Sequence, residues 1–362
     1  MKGVKNTITL FPSNWLYNAG VVGLLRVVKE IGDKNYEINQ NGFVEIKKEG
    51  LTCKEIFEKW DGLTKEKINI SYKGKSKGTK GYYYANQTEK SIKEKINALL
   101  EEKQTLRKGS KLFCSICENS ENTNKSKLKK KVLTQTYGNI LSASARTFPN
   151  SYWMLEPREF VCSKCEFILM CHHIPFVTIE KDKNEKVEIF INAPDFMLIW
   201  DLNKLAEEIL QKSKEYEIRK ILGSSLLQWA IKRRALLGAW TMMNIEVIVK
   251  RWHKEEKKWI IDYFDLPQDI TKILLDYEIA GMIERINEEK IFDLILRGKF
   301  SELEKANYYV LKTILKLKNN EKIPDNDPIT KYFVRYNNPD YLQNVAGILP
   351  ELYVKILEKI GR

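Results

Sequence analysis

Two cysteine pairs are the residues of this 362-residue chain best suited to chemistry: Cys114-Ser115-Ile116-Cys117 and Cys162-Ser163-Lys164-Cys165. Two residues between cysteines let both sulfurs of one tight turn reach one metal ion. Two such turns supply the four thiolates of a tetrahedral zinc site. The 44 residues between the pairs exceed the loop of a compact ribbon, so an insertion is expected between the two knuckles. A closed four-thiolate site has no open position for a substrate. The expectation is therefore structural Zn2+ held by Cys114, Cys117, Cys162 and Cys165. Unmetallated thiols, a redox pair and an iron–sulfur site are the alternatives. A redox pair needs one C-x-x-C opening a helix after a strand, and that context is not expected here. Cys171-His172-His173 follows six residues beyond Cys165. It offers either a substitute ligand or, more simply, the apolar turn closing the second knuckle. Cys53 reads as an ordinary thiol.

Other reactive chemistry is poorly supplied. The only histidines are His172, His173 and His253, which argues against multi-histidine nucleases and zincin proteases. The chain contains no G-x-x-x-x-G-K-[ST], G-x-G-x-x-G, G-x-S-x-G or H-E-x-x-H. Gly74-Lys75-Ser76 lacks the earlier glycine of a phosphate loop. Asp262, Asp265 and Asp269 read as surface acids around a helix start near Pro267. A non-enzymatic protein is expected.

Charge points to a polyanionic partner. Lys plus Arg number 61 against 48 Asp plus Glu, a net +13 with a pI near 9.2. Between Ser71 and Lys131 the balance is 16 basic to 6 acidic, so this stretch holds most of the excess. Lys73, Lys75, Lys77 and Lys80 alternate with glycines beside Tyr72 and Tyr82–Tyr84. Lys127, Lys129, Lys130 and Lys131 fall between the cysteine pairs. Lysine beside glycine approaches a phosphate backbone closely, and neighbouring tyrosines offer stacking faces. These eight lysines are the candidate nucleic-acid contacts. Lys232-Arg233-Arg234 and Lys250-Arg251-Trp252-His253-Lys254 are assigned to helices, with i,i+4 partners such as Glu255 and Glu256 as the simpler reading.

The elements that must position these groups follow from periodicity. Pro12-Ser13-Asn14 caps a helix from Trp15 to Ile31, which Gly32-Asp33 ends. It is apolar nearly all round, and therefore buried. Gly20 and Gly23 imply a close neighbour at its backbone. Strands are expected at Phe43–Ile46 and at Ile68–Tyr72, the latter opening a hairpin across the lysine-glycine loop. A helix is expected over Ser91–Leu106. Another hairpin joins Phe176–Ile179 to Val187–Ile191. From Asp201 the chain reads as helical to its end, including Ser225–Lys250. The fold class is α+β. The expected divisions are an N-terminal α+β domain (1–110), a zinc-ribbon-like insertion (111–173), return strands (174–200) and an α-helical C-terminal domain (201–362). No run of 18 apolar residues crosses a membrane. Ala19–Leu25 lacks the basic lead and small-x-small site of a signal peptide. Six cysteines are too few for a disulfide scaffold, so a cytoplasmic setting is expected.

The opening Phe11-Pro12-Ser13-Asn14-Trp15-Leu16-Tyr17-Asn18-Ala19-Gly20-Val21-Val22-Gly23-Leu24-Leu25, followed by two C-x-x-C motifs, resembles the CXXC–CXXC family of CRISPR-associated proteins. These are large subunits of the type I effector complex, Cascade, of a type I-B or I-A kind. The likeness covers about the first half of the chain. It implies a non-catalytic subunit that binds target double-stranded DNA at the flanking motif (PAM) and recruits a helicase–nuclease in antiviral defence. The implied partners are CRISPR RNA and the backbone, repeat-processing and small subunits. The resemblance also implies an internal start for a separate small subunit, for which Met242 or Met243 is the candidate. A stand-alone zinc-containing DNA-binding or scaffold protein is the alternative, and a nuclease a further one.

Overall fold

The computed structural model describes residues 6–71, 88–101, 111–114, 116–117, 120–122, 161–182, 185–212, 218–233, 245–253 and 258–361. The chain divides into two compact units. One comprises residues 1–200 with 248–263; the other comprises 201–247 with 264–362. The class is α+β.

At the centre of the first unit lies α1 (Trp15–Lys29). Asn14 caps it by accepting from the Tyr17 N–H at 3.0 Å. Eleven consecutive or near-consecutive positions from Tyr17 to Val28 are buried, as the apolar circumference predicts. The one amide side chain among them, Asn18, is hydrogen-bonded through both its oxygen and its nitrogen. It bonds both backbone groups of Ser13 and donates to Asn192 Oδ1 at 2.9 Å. The helix ends at Lys29 through a tight final turn. Gly32, expected with Asp33 to end it, is extended and lies just beyond the final turn.

Strands β1 (Thr7–Leu10), β2 (Tyr36–Ile38) and β3 (Val44–Lys47) form an antiparallel sheet with β3 in the middle. Next come α2 (Cys53–Ser71) and α3 (Glu89–Leu100). The strand expected at Ile68–Tyr72 is thus corrected as far as Ser71, where the helix is still running. Alternation over five residues is too short to outweigh a helix already propagating from Cys53. Strands β4 (Lys111–Phe113) and β5 (Ser120–Asn122) pair antiparallel. They lead to α4 (Ser163–Met170). Strands β6 (Val177–Asp182) and β7 (Glu185–Asn192) form the expected hairpin. They continue into β8 (Glu246–His253) and β9 (Lys258–Asp265) in the order β6-β7-β8-β9.

Those last two strands correct the all-helical reading beyond Asp201. The run Val247-Ile248-Val249 is β-branched, which favours a pleated surface over a helix. Most of both strands belongs to the first unit, and the described elements of the second unit are otherwise helices. They comprise α5 from Asp201 onward (the helix spans Phe196–Lys212), α6 (Ile218–Arg233), α7 (Gln268–Leu274), α8 (Tyr277–Ile286), α9 (Glu289–Leu296), α10 (Ser301–Lys318) and α11 (Pro339–Ile360). A side chain at Gly223 would meet Leu296 at 2.5 Å, so α6 and α9 cross closely there.

Candidate metal centre

Cys114 and Cys117 sit in the turn between β4 and β5. Cys162 is the N-cap of α4, and Cys165 lies in its first turn. The second C-x-x-C therefore does open a helix, contrary to the sequence expectation. The short sequence Cys162-Ser163-Lys164-Cys165 acts as a cap because Cys162 Sγ accepts the Cys165 N–H at 3.5 Å. The Cys162 N–H in turn points to Cys114 Sγ at 3.4 Å. All four sulfurs lie within 4.8 Å of one another. Cys117 and Cys162 are 3.7 Å apart, against about 3.8 Å for the edge of a tetrahedron with metal–sulfur bonds of about 2.3 Å. Convergence of all four sulfurs departs from the isolated two-sulfur arrangement of a redox pair.

Electrostatics give the same answer. Hydrogen bonds from Cys117, Cys162 and Cys165 hold the Cys114 thiol well below the usual range. The bond to Cys114 pushes Cys162 up, and the same contact pushes Cys165 up. Without a cation, ionisation of Cys114 opposes ionisation of Cys162 and Cys165. A divalent metal removes that penalty and lets all four ionise. The donor set, its spacing and its protonation pattern fit a bound metal ion.

Three helices hold α4 in place. Gly20 and Gly23 of α1 face it, and an added Cβ would stand 2.3 Å from the Ile168 carbonyl oxygen and 2.0 Å from that of Cys171. Glycine is therefore required at both positions, as the close neighbour inferred from the sequence implies. From α2, Trp60 is buried against Phe167 and donates to the Met170 carbonyl at 3.4 Å. From α3, Lys95 reaches Glu166 at 3.6 Å. Tyr17, which sequence reasoning passed over, is buried beside the cluster. Burial first, and then proximity to Cys165, Cys117, Cys162 and Cys114, pushes its hydroxyl well above the usual range. Its place in the Asn14-capped first turn was the only signal in the sequence.

The Cys171–His173 turn is packing rather than ligation. Cys171 Sγ donates to the Phe167 carbonyl at 3.3 Å. His172 Nδ1 contacts the Leu169 carbonyl at 2.9 Å, and His173 Nε2 contacts Thr64 Oγ1 at 3.0 Å. Burial, with Lys250 nearby, drives the His172 pKa far down and that of His173 to about 3, so both rings are neutral. Cys53 is half-buried, with its thiol against the Lys93 carbonyl.

The basic segment at 250–254 lies on β8 as far as His253 rather than on a helix. Lys250 is only 1% exposed, paired with Glu188 at 3.3 Å and set over the Phe176 ring. It is unavailable to a phosphate. Arg251 pairs across the hairpin with Asp262 at 3.2 Å. Arg233 is held by Asp201 at 2.6 Å, and Lys232 by Glu208 at 3.6 Å. Lys73, Lys75, Lys77 and Lys80, and Lys127, Lys129, Lys130 and Lys131, lie outside the described residues, as do Met242 and Met243. The second unit carries 23 basic and 22 acidic residues, so nearly all of the +13 belongs to the unit that holds the cysteines. Among the described residues no helix is long and apolar enough to cross a membrane. No protein-family model matches the chain, and no curated protein matches it.

Proposed function

We propose that this protein is the non-catalytic large subunit of a type I CRISPR guide-RNA surveillance complex, Cascade. In this reading it binds target DNA at the flanking motif, recruits the helicase–nuclease and works in the cytoplasm. One observation carries the reading. The two sequence features behind the resemblance, the Phe11–Leu25 stretch and the paired C-x-x-C motifs, are parts of one body. Gly20 and Gly23 of that stretch touch the backbone of the cysteine-bearing helix, and Tyr17 lies beside the sulfurs. The metal we assign to the four cysteines is zinc, which takes four thiolates in a closed tetrahedron and serves architecture. The concentration of positive charge in that same unit favours a nucleic-acid partner.

The test is to purify the tagged protein from its source cells and sequence the RNA that accompanies it. Short RNAs of uniform length, each joining a variable spacer to a constant repeat-derived end, are expected. In the assembled complex, charge reversal at Lys73, Lys75, Lys77 and Lys80 should weaken target-DNA binding and flatten its salt dependence without disturbing assembly. An intact, folded preparation without such RNA would leave a stand-alone metal-containing DNA-binding or scaffold protein. Divalent-metal-dependent cleavage of DNA or RNA would make it a nuclease.

A further inference from the structure

The second unit presents a surface that the nucleic-acid reading does not use. Helix α10 buries Leu303, Ala306, Val310 and Thr313 toward its neighbours, chiefly α11. Its opposite face should be polar. Instead Tyr308, Leu311 and Leu315 lie there, 60%, 49% and 64% exposed. Their i, i+3, i+7 spacing aligns them in one stripe two turns long, the seam a second helix fills. Lysines border it. By helical geometry Lys312 falls on one side and Lys318 on the other, both exposed, while exposed Glu304 continues the row one turn before Tyr308. The charge is local, because the unit as a whole is nearly balanced.

We propose that this face docks an amphipathic helix of a partner protein, with acidic residues flanking its apolar seam. Charge complementarity to Lys312 and Lys318 selects the acidic flanks, and the stripe selects the helix. Nucleic acid fits less well. Two of the three apolar residues are leucines without a stacking face, and the Tyr308 ring is held edge-on by Tyr309 at 5.3 Å.

The experiment places a photo-crosslinking p-benzoylphenylalanine at Leu311 of the full chain in its source cells. A reference label goes at exposed Glu358 of α11. Mass spectrometry identifies the segment captured. The expected result is one protein, crosslinked through a helix with apolar i, i+3, i+7 positions and acidic flanks. Yield should fall at least tenfold with Leu315→Glu and at least fivefold with Lys312→Glu/Lys318→Glu. Lysines in place of the partner's acidic flanks should restore the second loss. Circular dichroism melting of both variants, unchanged from the parent, keeps the losses from being misfolding. Crosslinks to nucleic acid, to lipid, to a second copy or to a non-acidic segment would overturn the proposal, as would a yield no higher than at the reference position.

Discussion

Four sulfur atoms and two missing side chains set the chemistry of the first unit. Replacing Cys165 with serine removes one of the four converging sulfurs, buried where no other donor stands in for it. The purified variant is expected to lose its single equivalent of metal by elemental analysis and to melt well below the parent. Tyr17→Phe keeps the packing but removes the hydroxyl beside the sulfurs. It should leave the metal bound but speed its transfer to a competing chelator. At Gly23 even one methyl group is too much, since it would stand 2.0 Å from a carbonyl oxygen. Gly23→Ala should cost about 1–3 kcal/mol or more by overpacking, read as a lowered Tm. The convergence of the four cysteines was legible from spacing alone, because four identical donors in two pairs leave few other readings. Tyr17 was not, because a tyrosine in an apolar helix is the same residue whether it faces a leucine or a thiolate.

The elements of the first unit are tied together by a charged interior. Lys250 on β8 and Glu188 on β7 form an ion pair almost wholly out of water, with His172 and His173 held neutral nearby. Lys250→Met alone removes the cation beside the buried Glu188 carboxylate and should cost about 3–5 kcal/mol in denaturant unfolding. The double variant Lys250→Met/Glu188→Leu should recover most of that loss. The histidines give the pH dependence its sign. Their folded pKa values lie below the ordinary one of about 6.5, so the unfolded chain binds more protons between them. Stability therefore rises with pH across that window. It should fall as pH drops below about 6.5, toward the value near 3 for His173, and His173→Gln should flatten the slope. Periodicity found α1 and the β6–β7 hairpin because each has one dominant pattern. It missed β8 because the three β-branched residues Val247-Ile248-Val249 are too short a run to interrupt the helical pattern before them until the sheet partner is known. It misread Ile68–Ser71 because helix propagation from Cys53 decides those residues rather than their own alternation.

At the scale of the molecule, two units share one chain but not one stabilising device. The four converging cysteines belong to residues 1–200, whereas the second unit rests on helix packing. Chelation should therefore lower the melting of the first unit and leave a second, helix-dominated transition near its original temperature. A calorimetric scan with and without chelator reads both. The close fit of Gly20 and Gly23 against α4 also has a consequence in time. Some 136 residues of synthesis separate Lys29 from Cys165. At about 5–20 residues per second, the apolar helix leaves the ribosome roughly 7–27 s before the segment that covers it. During that interval its glycine face is a greasy surface awaiting its lid. Holding chaperones, and a supply of metal while translation is under way, should decide how much of the newborn chain escapes aggregation.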